Sequence, residues 1–179
     1  MPIKALILDF DSTISTPTFL ERLQVWAVAD KHEIFKIMTR DERIANFGGQ
    51  PRIDTLAALL ASLKEAGVAL YIVSIGFKIA IVPHLETAEL KSYFKDECIF
   101  GQDSKELRGF GFVKGKLIAQ IMRGKNWQHD EVLFVDDSVE HIEKAKSVCQ
   151  TLLVAPASKS TVGGMAAAEF EAIRKAAFS

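Results

Sequence analysis

Short apolar runs alternate along this chain with stretches in which hydrophobic residues recur every three or four positions. Ala5 to Asp9 carries Leu6, Ile7 and Leu8 in unbroken succession, the pattern of a strand buried on both faces. Val68 to Ser74, Glu131 to Asp136 and Thr151 to Val154 repeat that pattern, and Cys98-Ile99-Phe100 is a shorter version of it. Between them, Ile53, Leu56, Leu59, Leu60 and Leu63 fall on one helical face, with Pro51 in the first turn and Gly67 at the stop. Lys114 to Arg123, Val139 to Val148 and Met165 to Ala177 predict further helices. Such alternation implies parallel strands joined by crossover helices, an α/β fold with a doubly wound parallel sheet. One stretch, 16–50, breaks the rhythm. Phe19, Leu20, Leu23, Trp26 and Ala27 have helical spacing there, followed by Ile34, Phe35, Ile37 and Met38. It predicts two or more short helices inserted after the first strand.

The totals narrow the picture. A chain of 179 residues, 49% hydrophobic, fits one domain over 1–179 with a sizeable core. The 22 Lys and Arg nearly balance the 23 Asp and Glu, which argues against general nucleic-acid binding through a basic face. Cys98 and Cys149 sit in apolar runs and read as buried thiols. His32, His84, His129 and His141 have no metal-ligand spacing. No apolar stretch is long enough to span a membrane. The opening Met1-Pro2-Ile3-Lys4 lacks a signal-peptide pattern, so a cytoplasmic location is expected.

In a doubly wound sheet, ligands bind beyond the carboxyl ends of the strands. Polar residues gather at those ends here. Asp9 ends the first predicted strand with Asp11 two residues on, Ser74 ends the second, and Asp136 with Asp137 ends another. Asp9, Asp11 and Asp137 brought together would repel one another without a cation. Hard oxygen ligands of this kind select Mg²⁺, with a substrate phosphate completing its shell. A carboxylate so neutralised can attack phosphorus. A second carboxyl off the metal can protonate the leaving oxygen and later take a proton from water. The Ser74 hydroxyl, nearby backbone N–H groups and a lysine at a helix start, Lys114, would hold the phosphate.

These segments resemble the motifs of the haloacid dehalogenase (HAD) superfamily of phosphatases. Asp9-Phe10-Asp11-Ser12-Thr13 resembles its Asp-x-Asp-x-Thr motif, and Ile72-Val73-Ser74 its strand ending in Ser or Thr. Val113-Lys114-Gly115-Lys116-Leu117 resembles its lysine-led helix, and Phe134-Val135-Asp136-Asp137-Ser138 its terminal Asp pair. All four occur in the family's order. The resemblance implies a Rossmann-like HAD core with Asp9 as nucleophile and metal ligand. It implies Asp11 as general acid/base whose backbone carbonyl also reaches the metal, Asp137 as a further metal ligand, and Asp136 in support. Ser74, Lys114 and Thr13 are the phosphate-binding residues it implies, with Lys116 the alternative to Lys114.

The implied activity is Mg²⁺-dependent hydrolysis of a phosphate monoester through an aspartyl-phosphate. A phosphotransferase or phosphomutase with the same intermediate, or a non-catalytic binding module on the same fold, are the alternatives. Family members roof the site with insertions. Here about 35 residues are left for one, enough for a small helical cap over 16–50. An open site of that kind suits a phosphorylated macromolecule, or a small phosphorylated metabolite closed over by a second subunit, so a homo-oligomer stays open. The sequence names no individual substrate.

Overall fold

The computed structural model describes residues 2–23, 38–158 and 162–179. Its centre is a five-stranded sheet: β1 (Ala5–Leu8), β2 (Ala69–Val73), β3 (Ile99–Phe100), β4 (Val132–Asp136) and β5 (Gln150–Leu153). All neighbours are parallel, in the order β3-β2-β1-β4-β5. The five predicted strands are all present. β1 is central, with Leu8 opposite Ile72 on one side and Val135 on the other. The chain therefore leaves β1 and β4 side by side, where the strand order reverses, the usual place for a ligand crevice.

The unbroken apolar runs have a direct cause. Successive residues of a strand point to opposite faces, and both faces here are covered. Leu6, Leu8, Leu70, Ile72, Leu133 and Val135 face one layer of helices. Ala5, Ile7, Tyr71, Val73, Val132 and Phe134 face the other. The first layer holds α3 (Gln50–Glu65), α4 (Lys78–Thr87) and α8 (Ala167–Phe178); the second holds α5 (Lys105–Gly109), α6 (Lys114–Lys125) and α7 (Val139–Ala145). α3 buries Ile53, Leu56, Leu59, Leu60 and Leu63, the predicted stripe, and stops before Gly67, whose φ is +80°. α7 ends at Ala145 rather than at Val148, since the chain must turn there to enter β5.

Among the described residues of 16–50 lie α1 (Pro17–Leu23) and α2 (Arg40–Asn46). Thr39 caps α2 by accepting the Glu42 N–H at 3.1 Å. Trp26, Ala27, His32, Ile34, Phe35 and Ile37 fall outside the described residues. No helix among the described residues is long and apolar enough to cross a membrane.

Candidate active site

The nucleophile candidate leaves β1 under tight control. The Asp9 N–H continues the ladder by donating to the Val135 carbonyl at 2.9 Å. The chain then folds into one wide turn, closed by the Ser15 N–H donating to the Phe10 carbonyl at 2.9 Å. Ser12 adopts a left-handed conformation (φ +58°) inside that turn, and its N–H donates to Ser15 Oγ at 3.2 Å. Phe10 is fully buried, edge-on to Phe19 and Phe47, and anchors the turn in the core. Thr13, also fully buried, donates its hydroxyl to Asp9 Oδ2 at 3.3 Å. Its hydroxyl thus meets the nucleophile candidate itself.

β4 and α6 supply the other half. Lys114 opens α6 and is 2% exposed; its ammonium donates to Asp9 Oδ1 at 3.0 Å and to Asp136 Oδ2 at 2.6 Å. Lys116 is exposed and belongs to neither contact. Gly115 explains how α6 reaches so far in. A Cβ there would sit 2.9 Å from the Lys144 carbonyl oxygen, so only glycine lets α6 close on the end of α7. The second oxygen of Asp136 accepts the Ser138 N–H at 2.9 Å, and Ser138 caps α7. Carboxylate oxygens of Asp9, Asp136 and Asp137 lie within 4.8 Å of one another, the only such cluster among the described residues. Asp137 is its exposed member. The converging carboxylates are thus Asp9, Asp136 and Asp137, with the carboxyl of Asp11 off to one side.

That carboxyl lies against the turn after β2. A Cβ on Gly76 would approach Asp11 Oδ2 to 2.8 Å, so a side chain there would push Asp11 away. Asp11 Oδ1 is sealed from solvent and has no hydrogen-bond partner among the described residues. Ser74 is fully buried, and its Oγ accepts the Gly76 N–H at 2.9 Å, which leaves the hydroxyl proton for an acceptor in the crevice. Residues after β3 hold this turn. Gln102 donates its side-chain amide to the Ile75 carbonyl at 2.7 Å and its N–H to the Gly76 carbonyl at 2.8 Å. Asp103 accepts the N–H groups of Lys78 and Ile79 at 2.7 and 3.3 Å, capping α4 from outside. Neither was singled out in the sequence. Gly101-Gln102-Asp103 is nonetheless one more polar strand end, and the rule that found Ser74 reaches it too.

Electrostatics follow from this crowding. Burial pushes Asp9 above the usual carboxylate range, and Asp136 adds to the push, while Lys114 pulls the other way. Burial and then the charge of Asp9 raise Asp11 to about 7. Partial burial, Asp9 and Asp136 raise Asp137 to about 8. For Lys114, burial pulls down, but Asp9 and Asp136 together win and hold it above its ordinary value. The site can therefore keep one lysine charged, and it carries two carboxyls raised to near neutrality, Asp11 inside the turn and Asp137 at the crevice edge. Of these, Asp11 lies off the carboxylate cluster and is free to hold or release a proton.

Solved structures share this fold. A HAD-family hydrolase from Deinococcus radiodurans, solved with bound phosphate and sodium, superposes with a TM-score of 0.55 at 15% identity, covering 96% of this chain and 88% of that one. A haloacid dehalogenase-like protein from Streptococcus pneumoniae matches at a TM-score of 0.52 and 15% identity, covering 96% and 91%. A HAD-superfamily hydrolase from Geobacter sulfurreducens matches at 0.52 and 17%, covering 84% and 89%. No curated protein sequence matches. A family model for haloacid dehalogenase-like hydrolases matches residues 8–148, from the end of β1 to just beyond α7, and the chain belongs to that hydrolase family.

Proposed function

We propose that this hydrolase is a Mg²⁺-dependent phosphomonoester phosphatase that works through an aspartyl-phosphate on Asp9. One observation carries the reading. A buried carboxylate, Asp9, fixed by Lys114 and Thr13, stands beside a second carboxyl, Asp11, whose buried Oδ1 has no partner among the described residues. A nucleophile and a separate proton carrier on one turn are what a two-step ester hydrolysis needs. The phosphate bound to the Deinococcus hydrolase agrees with it.

The donor set fits the metal. It is all oxygen and anionic, and one lysine faces three clustered aspartates. Asp9, Asp137 and the main-chain carbonyl of Asp11 would hold Mg²⁺, while Asp136 is committed to Lys114. When bound, Mg²⁺ would offset the repulsion between phosphate and carboxylates and polarise the phosphoryl group.

The chain's own residues then divide the work. An Asp9 oxygen forms a bond to phosphorus as the ester P–O bond breaks, and Asp11 gives its proton to the departing oxygen. Water next attacks phosphorus and yields a proton to the Asp11 carboxylate, and the bond from Asp9 to phosphorus breaks to release phosphate. Ser74 and Lys114 bind the phosphoryl oxygens throughout. We assign the segment 16–50 to a small cap over this site. The exposed position of Asp137 suits a crevice open to a phosphorylated substrate.

The test is phosphate release from a generic aryl phosphate with and without Mg²⁺. Turnover that needs Mg²⁺ and is lost in Asp9→Asn is the expected result. Absence of Mg²⁺-dependent release by the wild-type chain, or full activity in Asp9→Asn, would sink the reading.

A further inference from the structure

Arg52, near the start of α3, has no place in the chemistry above, yet its guanidinium is the most heavily used donor group near the nucleophile turn. Nη1 donates to the carbonyls of Ile14 at 2.5 Å and Phe47 at 2.9 Å. Nη2 donates to those of Thr13 at 3.0 Å and Met165 at 3.0 Å, and Nε adds a bond to Met165 at 3.2 Å. These carbonyls come from three places: the turn that follows Asp9, the residue just after α2, and the segment leading into α8. Each lies where the chain is turning, so no helix or sheet partner is at hand for its carbonyl. A planar fork with several donors answers all of them at once, which an ammonium could not do.

One glycine in each of two pairs makes room for it. Gly48-Gly49 and Gly163-Gly164 all have positive φ, between +73° and +97°. A Cβ on Gly48 would come within 2.9 Å of Arg52 Cδ, and one on Gly164 within 2.8 Å of Nη2 and 2.6 Å of the Ser15 carbonyl. One glycine of each pair thus clears the Arg52 side chain, while Gly163 clears Pro17 instead. Burial lowers the Arg52 pKa to about 10, and the charge of Glu169 partly offsets this. Glu169 in turn holds the segment on both sides, accepting the N–H groups of Ala155 at 2.9 Å and Ala166 at 3.1 Å.

The link to Asp9 runs through Thr13. Its carbonyl accepts from Arg52 and from the Met165 N–H at 2.9 Å, which uses both lone pairs and fixes the peptide. The same residue's hydroxyl donates to Asp9 Oδ2. We propose that Arg52 is a positioning residue for the reaction. By gripping the carbonyls of Thr13, Ile14, Phe47 and Met165, it sets the Thr13 hydroxyl on Asp9. It also ties the nucleophile's alignment to the 16–50 insertion and to the C-terminal segment. The proposal rests on the phosphatase reading.

Arg52→Lys and Arg52→Met, each alone and combined with Thr13→Ala, test it by steady-state kinetics on an aryl phosphate, with thermal melting run in parallel. Arg52 touches neither Ser74 nor Lys114, so substrate binding should hold while alignment is lost. The expected result is a kcat lower by about 10-fold in Arg52→Lys and on the order of 100-fold in Arg52→Met, with KM within about twofold. Once Thr13→Ala is present, Arg52→Lys should add little further loss, since the two act along one route. Three outcomes overturn the proposal: unchanged kcat per folded molecule with only a lower Tm, fully additive losses with Thr13→Ala, or failure of Arg52→Lys to fold. Wild-type turnover in the same assay separates the two claims. A wild type without turnover removes the phosphatase reading and this proposal with it, whereas an active wild type with undiminished variants removes only the role of Arg52.

Discussion

His84 sits in the first core layer, fully buried among Phe10, Phe19 and Phe47, and its two ring nitrogens have fixed and different partners. Nδ1 faces the Ala80 carbonyl at 2.8 Å, which can only accept, so this nitrogen carries the proton. Nε2 faces the Asn46 amide nitrogen at 3.1 Å and accepts from it. A second proton on the ring would turn that bond into donor against donor. Burial, aided by the charge of Arg43 and opposed by the Ala80 bond, lowers the imidazole from 6.5 to about 4. The sign follows. Above pH 6.5 the ring is neutral whether the chain is folded or not, and it contributes nothing to the slope. Between about 6.5 and 4 the unfolded chain takes up a proton that the folded one refuses, so stability falls as pH falls, by roughly 3 kcal/mol over that window. Urea midpoints of wild type and His84→Gln between pH 7 and pH 4 check this. The wild type should lose more stability on acidification than the variant, and parallel curves would refute the assignment. The same histidine explains why His84 gave no ligand pattern in the sequence. It joins α4 to Asn46 at the end of α2, and a partner 38 residues away leaves no local spacing to read.

At the scale of elements, α6 carries two glycines with opposite duties. Gly115 lies against the Lys144 carbonyl and the Ala145 Cα, where a Cβ would come to 2.9 and 3.4 Å, both backbone atoms that cannot step aside. Gly124, near the other end of the helix, has nothing among the described residues within 4 Å of where its Cβ would stand. Alanine favours a helix over glycine by about 1 kcal/mol at either position. At Gly124 that gain should appear nearly in full, and Gly124→Ala should be stabilising by about 0.5–1 kcal/mol. At Gly115 the clash opposes it. α6 must back away from α7, at a cost of about 1–3 kcal/mol for overpacking, and Lys114 retreats from Asp9 with it. Gly115→Ala should therefore lose both stability and kcat, measured by denaturant midpoint and aryl phosphatase rate, while Gly124→Ala keeps the rate. Equal effects at the two sites would show that the helix contact does not set the lysine. The strands and helices were legible because each announces itself within about ten residues: Leu6-Ile7-Leu8 by continuity, Ile53 to Leu63 by period. The 2.9 Å approach at Gly115 depends on α7, which no window around Gly115 contains.

The whole molecule shows which parts of the site a sequence can disclose. Asp9, Ser74, Asp136 and Asp137 could be picked out as candidates because the sheet gathers the carboxyl ends of its strands, and Lys114 because it leads a helix. Arg52 was not, because its partners are main-chain carbonyls at Thr13, Ile14 and Met165, and a carbonyl has no residue type. The same gathering sets a tension between stability and function. Burial and the charge of Asp136 raise Asp9, and burial, Asp9 and Asp136 raise Asp137, so the convergence of these carboxylates works against folding unless a cation offsets it. If Mg²⁺ is that cation, it binds the folded chain and not the unfolded one, and must stabilise it by linkage. At a concentration 100 times its dissociation constant the gain is about 2.7 kcal/mol, or about 5–10 °C in Tm for a chain of this length. Asp137→Asn should do two opposite things at once. Without Mg²⁺ it should melt higher than wild type, because one of the crowded charges is gone. With Mg²⁺ it should gain little, and chelator should erase the wild-type gain. Melting curves of both proteins with Mg²⁺ and with chelator decide the matter. A wild-type Tm indifferent to Mg²⁺, or an Asp137→Asn that responds as fully as wild type, would mean that this carboxylate cluster is not where the ion binds.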